Sequence, residues 1–357
     1  MLSDGISIDL ALQGGGAHGA FTWGVLDRLL DEKGWTCSAI SGASAGAMNA
    51  VVMADGLLDG GPVGAQRALW GFWKRISRAA HDYTVARNLF HSLFLPSGVG
   101  TAGWTAYNPL TVSAAIWSAM SHAVSRTLSP YQFNPLNLNP LSSLLDESVD
   151  FKRLRKAKDI RLFISATNVR TGGIRVFRNR ELSARTVMAS SCLPQLFQAV
   201  EIDGETYWDG GYMGNPALLP LIAESAPEDL LIIQLNPPVR NERPRTTDAI
   251  AGRLNEITFN TSLVKELRSV ALLKRALDEE AVDHVFRHPL FGQIRALRLH
   301  RIAADETAFQ LGVKSKLDPE WEFLVRLHGL GVRAADAWLK KHGADLGKRS
   351  TLDLDAV

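Results

Sequence analysis

Three glycine-rich stretches of this sequence carry residue types that could do covalent chemistry. The first is Gly42-Ala43-Ser44-Ala45-Gly46, a G-x-S-x-G pentapeptide. A serine on a sharp strand-to-helix turn sits in strained backbone with its hydroxyl exposed, and flanking glycines let neighbouring elements approach closely. The helix that follows points its positive end at the same place, which favours alkoxide and oxyanion character. Small-residue pentapeptides also occur as ordinary turns. Here the position, after an apolar segment and before a helix, favours a nucleophile. The second stretch is Gly14-Gly15-Gly16-Ala17-His18-Gly19. Successive glycines can aim several backbone N–H groups at one anion, which would make an oxyanion hole facing Ser44. Gly14, Gly16 and Gly19 also satisfy G-x-G-x-x-G, a dinucleotide fingerprint. That fingerprint wants an acidic residue about 20 positions on, at the end of the second strand. Asp31 and Glu32 fall at a helix end instead, and the second strand runs into the Ser44 turn.

A nucleophilic serine needs a base. His284, His288 and His300 lie in charged stretches that read as exposed surface, and no histidine follows a strand end or sits among glycines downstream. The third stretch, Tyr207-Trp208-Asp209-Gly210-Gly211, offers Asp209. Asp-Gly is commonly just a turn. Asp209 stands apart because Trp208 precedes it, Asn215-Pro216 follows it, and two glycine motifs lie upstream. An aspartate in water has a pKa of about 3.9 and is a poor base. Partial burial raises it toward the serine proton. No metal-ligand cluster is visible, and this chemistry needs neither metal nor cofactor.

The elements around these residues read as α/β. Ile6 to Leu12 alternates as a strand, and 20–31 has helical spacing. The apolar segment 37–40 precedes the Ser44 turn, and a small-residue helix follows over 47–53. A Gly-rich linker over 56–64 leads to a helix over 67–77. Further on come strands at 160–168 and 229–235, helices at 182–191 and 257–281, a strand over 294–302 with Arg295, Arg298 and Arg301 outermost, and a helix over 320–342. Strand, glycine loop, helix, strand, turn, helix implies a parallel sheet. The uncharged run 35–54 is about long enough to cross a bilayer, but its turn signals argue against a spanning helix.

Taken in order, Gly14-Gly15-Gly16-Ala17-His18-Gly19, Gly42-Ala43-Ser44-Ala45-Gly46 and Asp209-Gly210-Gly211 resemble the patatin-like phospholipases. Ala189-Ser190-Ser191-Cys192-Leu193-Pro194 and Asn215-Pro216 are similar to family segments as well. The resemblance implies a three-layer α/β/α sandwich with a mostly parallel central sheet. It implies a Ser-Asp dyad, with Ser44 the nucleophile and Asp209 the general base. It implies an oxyanion hole from Gly14, Gly15, Gly16 and Ala45, with His18, Gly42, Gly46, Gly210 and Gly211 in support. The substrate implied is an acyl ester of a lipid. One departure stands out: a basic residue is usual where His18 stands. His18 could support the loop only when protonated or as a neutral donor, and activity would then depend on pH near neutrality.

The chain has 357 residues, 46% of them hydrophobic, which is enough to build a sizeable core and excludes a wholly disordered chain. A net charge of +2 gives no support to nucleic-acid binding through a broad basic face. Two cysteines, Cys37 and Cys192, form no disulfide framework and read as thiols in a reducing compartment. With no apparent signal peptide, the expectation is a cytoplasmic protein that meets a lipid or membrane surface peripherally. Residues 1–240 read as the catalytic domain, and 241–357 as helices and a strand completing it. The segment 86–148 is an anomaly, for between Asn88 and Leu145 the only charged residue is Arg126. It reads as a packed cover, overlapping with a lid or acyl-chain pocket over Ser44. Two rival functions remain open: a Ser-Asp-His α/β hydrolase completed by a histidine such as His300, and a non-catalytic lipid- or granule-binding protein with the insert as docking surface. Phospholipids, lysophospholipids, acylglycerols and storage polyesters would all suit one dyad, and the oligomeric state is not encoded in any motif.

Overall fold

A computed structural model describes residues 5–94, 129–134, 137, 139–225, 227–280, 286–304 and 313–354. Most of the charge-poor insert, including Trp104, Tyr107, Trp117 and Met120, lies outside the described residues, as does His284.

The centre is a nine-stranded sheet. Strands β1 (Ile6–Leu12), β2 (Trp35–Thr36), β3 (Ala39–Gly42) and β4 (Arg161–Asn168) are joined by β5 (Ile174–Arg178), β6 (Val200–Ile202) and β7 (Glu205–Asp209), then by β8 (Asp229–Gln234) and β9 (Arg298–Ala303). The order along the sheet is β6-β7-β4-β3-β1-β8-β9, with β2 on β1 and β5 on β4. The pairs around β1, β3, β4, β8 and β9 are parallel, whereas β5, β6 and β7 add antiparallel pairs at one side. Helices cover both faces, giving three layers. They are α1 (Gly19–Leu30), α2 (Ala45–Phe94), α3 (Pro130–Phe133), α4 (Pro140–Ser148), α5 (Phe151–Lys156), α6 (Ala184–Ser190), α7 (Leu219–Ser225), α8 (Thr247–Glu280), α9 (Pro289–Ala296) and α10 (Trp321–His342).

Strand β8 shows why the middle layer is so apolar. Leu231 and Ile233 enter the core under α1, α2 and α10, while Leu230 and Ile232 enter the core under α7, α8 and α9. Successive side chains point to opposite faces, so a strand covered on both sides must be apolar at every position. Each such side chain contributes about 1.5–3 kcal/mol on burial.

At the start of β8 the buried Asp229 accepts from Arg298, from His300 Nε2 at 2.9 Å and from the Gly347 amide at 3.0 Å. Burial pushes this carboxyl up, but His300, Arg298 and the Gly347 amide outweigh it and hold it well below the usual range. His300 is therefore a fully buried member of a structural knot, and the expectation of an exposed histidine is overturned.

Three other sequence readings change. The 56–64 linker is helix, broken only at Gly60 and Gly61. The 294–302 strand is split: α9 runs to Ala296, started by Pro289 and capped by His288, and only from Arg298 does the chain join β8. Arg295 thus belongs to a helix. The 257–281 helix begins earlier, at Thr247. Of the insert, 86–94, α3 and α4 fall among the described residues, and α4 packs Leu144 and Leu145 into the main core.

Helices α1 and α10 meet backbone to backbone. A Cβ on Gly331 would strike the Phe21 carbonyl, and one on Gly24 would strike the His328 carbonyl. Gly331→Ala should therefore cost about 1–3 kcal/mol or more in a urea titration. Gly329→Ala, on the same helix but meeting only the Arg333 side-chain tip at 3.5 Å, should be neutral or stabilising by up to about 1 kcal/mol.

Candidate active site

The site forms where parallel strands end together. Leu12 of β1 pairs with Gly42 of β3, so the Gly14–Gly16 loop and the Ser44 turn leave the sheet side by side. Space there is limited enough to select glycine. A Cβ on Gly14 would lie 2.6 Å from the Ala43 carbonyl oxygen and 2.7 Å from Ser44 Cβ. A Cβ on Gly46 would collide with the Leu12 carbonyl, and one on Gly42 would come 2.6 Å from the Gly46 carbonyl oxygen.

Ser44 has φ of 53°, the left-handed region that a side chain rarely adopts. Such strain persists only where the surroundings enforce it. They do so here: the Ser44 amide donates to Ser190 Oγ at 2.9 Å, the Gly46 amide donates to the Ala43 carbonyl at 2.8 Å, and α2 starts at once. The serine is 8% exposed.

Asp209 ends β7 and is wholly buried. Its amide donates to the Cys192 carbonyl at 2.8 Å, its carbonyl accepts from Thr167 Oγ1 at 2.8 Å, and its Oδ1 accepts from the Gly211 amide at 2.7 Å. Oδ2 is buried without a hydrogen-bond partner among the described residues. Burial pushes the carboxyl up to about 6, against smaller opposing pulls from the Gly211 amide, the Ser44 hydroxyl and Lys316. Ser44 is thus near enough to favour the ionised carboxylate while leaving Oδ2 short of a formed bond, as free sites often do before substrate tightens them. The glycines after Asp209 are equally constrained: a Cβ on Gly210 would strike the Ser165 carbonyl, and one on Gly211 the Phe259 ring.

The segment 189–194 and the residue Asn215 organise both halves. Ser190 holds the Ser44 amide and Cys192 holds the Asp209 amide. Asn215 Oδ1 accepts from the Gly14 amide at 2.7 Å, while Asn215 Nδ2 donates to the Phe259 carbonyl at 3.0 Å. This corrects one expectation, since the Gly14 N–H is already engaged and is not available to an oxyanion. The Gly15, Gly16 and Ala45 amides have no acceptor among the described residues.

Of the two forms expected for His18, protonated or neutral, its surroundings favour the neutral one. It is 3% exposed, and burial, helped by the nearby Lys316 charge, drives its pKa down to about 3. It stays neutral near physiological pH, with Nε2 and Ser315 Oγ sharing a hydrogen bond at 2.8 Å. The described histidines of the rival triad, His288 and His300, do not converge on Ser44. His300 is bonded to Asp229 at the opposite end of β8, and His288 caps α9. Groups of His, Cys, Asp and Glu able to hold a metal are absent among the described residues.

The model of the family described as patatin-like phospholipase matches residues 10–222. The chain belongs to that family. No curated protein matches the sequence. Among solved structures, VipD from Legionella pneumophila is similar at 16% identity and a TM-score of 0.42, over 95% of this chain and 68% of that one. ExoU from Pseudomonas aeruginosa, solved in complex with SpcU, is similar at 14% identity and a TM-score of 0.30, over 93% of this chain and 53% of that one. Membership in the patatin-like phospholipases makes lipid hydrolysis the general class of activity. No helix among the described residues is long and apolar enough to cross a membrane.

Residues beyond the family model also border this patatin-like site. Phe259 sits against Gly211, and Ser315 and Lys316 sit against the Gly16–His18 turn. Nothing local in the sequence marks them, whereas Asn215 was marked by its place after Asp-Gly-Gly. Asn215→Ala would strand the buried Gly14 amide. It should lower stability by about 1–3 kcal/mol, read by chemical denaturation.

Proposed function

We propose that this protein hydrolyses acyl esters of lipids through a Ser44–Asp209 dyad and an acyl-enzyme. The observation that carries the reading is the strained Ser44 turn set against a buried carboxylate with an unpartnered oxygen. In water a carboxylate is too weak a base for a serine hydroxyl; one pushed up to about 6 is better matched while still ionised at neutral pH.

Ser44 Oγ attacks the acyl carbonyl carbon as its proton passes to Asp209 Oδ2. The carbonyl oxygen becomes an oxyanion, for which the Gly15, Gly16 and Ala45 amides, without an acceptor among the described residues, and the N-terminal end of α2 are the candidate donors. Collapse expels the alcohol of the lipid, which takes the proton back from Asp209. Water then attacks the acyl-enzyme, gives its proton to Asp209, and releases the fatty acid as Ser44 recovers the proton. Atoms and charges balance without a metal or cofactor. Phospholipid, lysophospholipid, acylglycerol and polyester substrates share this bond, and activity on esters of graded chain length separates them from short-ester hydrolysis.

Ser44→Ala and Asp209→Asn should each lower ester hydrolysis about a thousandfold or more, with folding intact by circular dichroism. Full activity in Asp209→Asn would end the dyad reading. A fluorophosphonate probe should label wild type at Ser44; failure to label folded protein favours the non-catalytic lipid-binding alternative.

The raised carboxyl gives two pH predictions of definite sign. As a base Asp209 must be ionised, so kcat/KM should fall below a pKa of about 6. Its protonated form is favoured in the folded state, so its stabilising contribution is present below the unfolded value of 3.8 and lost as pH rises through about 6. At neutral pH the ionised carboxylate therefore opposes folding by about 3 kcal/mol. Asp209→Asn should melt higher than wild type at pH values well above 6, and the gap should close on acidification.

A further inference from the structure

We infer that Lys316, outside the family-model region, is a positioning residue of the active site: its buried ammonium, held behind the Gly16–His18 turn, is a positive charge that favours the carboxylate of Asp209 and the oxyanion.

The geometry places it there. The turn Val313–Leu317 packs against the turn Gly16–His18 that follows the glycine loop. Gly16 has φ of 60°, and a Cβ on it would strike the Lys316 carbonyl, so the two backbones touch. Ser315 Oγ holds His18 at 2.8 Å. Lys316 Nζ donates to Asn236 Oδ1 at 2.8 Å and Asn255 Oδ1 at 2.6 Å, and lies 5.4 Å from the centre of the Phe259 ring that abuts Gly211. Neither amide oxygen carries a full charge, so these bonds solvate the ammonium without neutralising it. The charged and titratable groups facing it are few. Asp209 and Glu256 attract it, and Glu256 already pairs with Arg240 and Arg253. His18, neutral at working pH, supplies no charge.

The charge has a function because Asp209 has no cation in contact. Lys316 is the only positive group acting on that carboxyl among the described residues, and it favours the ionised form. An oxyanion held by the Gly15 and Gly16 amides would form beside the same turn, since Gly16 abuts the Lys316 backbone. Burial lowers Lys316 itself to about 8, with Glu256 and Asp209 opposing. Loss of its proton should therefore close the active range on the alkaline side. The neighbouring Cys192 is pushed up to about 12 and Tyr212 is raised, so neither titrates there.

This rests on the Ser44–Asp209 reading, and the test separates the two. Hydrolysis of a soluble p-nitrophenyl acyl ester is followed from about pH 4 to about pH 10 for wild type, Lys316→Gln and Lys316→Arg, beside Ser44→Ala and Asp209→Asn. Glutamine still donates to the two asparagines but has no charge; arginine keeps the charge and does not titrate in this range. Wild type should show a bell with limbs near 6 and near 8. Lys316→Gln should melt near wild type, lose about 10–100-fold in kcat with KM within about twofold, and shift its acid limb upward. Lys316→Arg should recover much of the rate and lose the alkaline limb. A wild-type profile without an alkaline limb overturns the inference. So does folded Lys316→Gln with unchanged kcat and an unmoved acid limb, provided that Ser44→Ala and Asp209→Asn are inactive. If Ser44→Ala remains active, the dyad reading itself falls, and the role of Lys316 with it.

Discussion

The close approach of two loops at the ends of β1 and β3 is the constraint on which the rest of this molecule depends. The parallel register brings Leu12 level with Gly42, and the chains that emerge are nearer than a Cβ permits at Gly14 and Gly46. Only with glycine at those positions can the Ser44 turn lie against the glycine loop. The strain at Ser44 follows, because the chain must reverse into α2 within two residues of leaving the strand. The sheet core makes this sustainable. A middle layer buried on both faces resists displacement, so an unfavourable φ is imposed by many favourable contacts elsewhere.

Asp209 poses the opposite problem, a charge where charge is expensive. Backbone ties to Cys192, Thr167 and Gly211 fix its position, yet they satisfy only one carboxylate oxygen. Leaving the other oxygen bare makes the group more basic and the fold less stable at once. The two effects are one quantity seen from two sides, since a pKa shift is a difference in folding free energy between protonation states. Segment 189–194 matters because it ties Ser44 and Asp209 to one element, so their relative position does not depend on two separate loops alone.

How much of this was legible in the sequence depends on the distance over which each signal acts. β1, β3 and β8 announce themselves by local apolar pattern, and the three glycine motifs by composition. The antiparallel strands β5, β6 and β7 did not stand out: β6 is only three residues long, and pairing partners set such strands more than their own pattern does. The 294–302 reading failed because Pro289 and the His288 cap start a helix that periodicity over so short a window does not distinguish from a strand. His300 read as exposed because its neighbours Arg298 and Arg301 are charged; the partner that buries it, Asp229, lies 71 positions away. Gly14 was legible as a necessary glycine, but its engaged amide was not, since Asn215 is 201 positions distant.

The same reasoning explains why the C-terminal portion looked like packing alone. Its contribution to the site is made by residues whose types are ordinary: a lysine among 39 lysines and arginines, a serine, and a phenylalanine on a long helix. What distinguishes Lys316 is its surroundings, with two asparagine oxygens and a glycine whose missing side chain admits its backbone. His18 makes the complementary point. A histidine beside a glycine loop suggests a titrating group, but burial beside a cation removes its charge throughout the neutral range. Charge in this site is therefore assigned by solvation and distance rather than by the residue that occupies a motif position, and a cation carried on a distant turn can act on a loop whose own sequence has none.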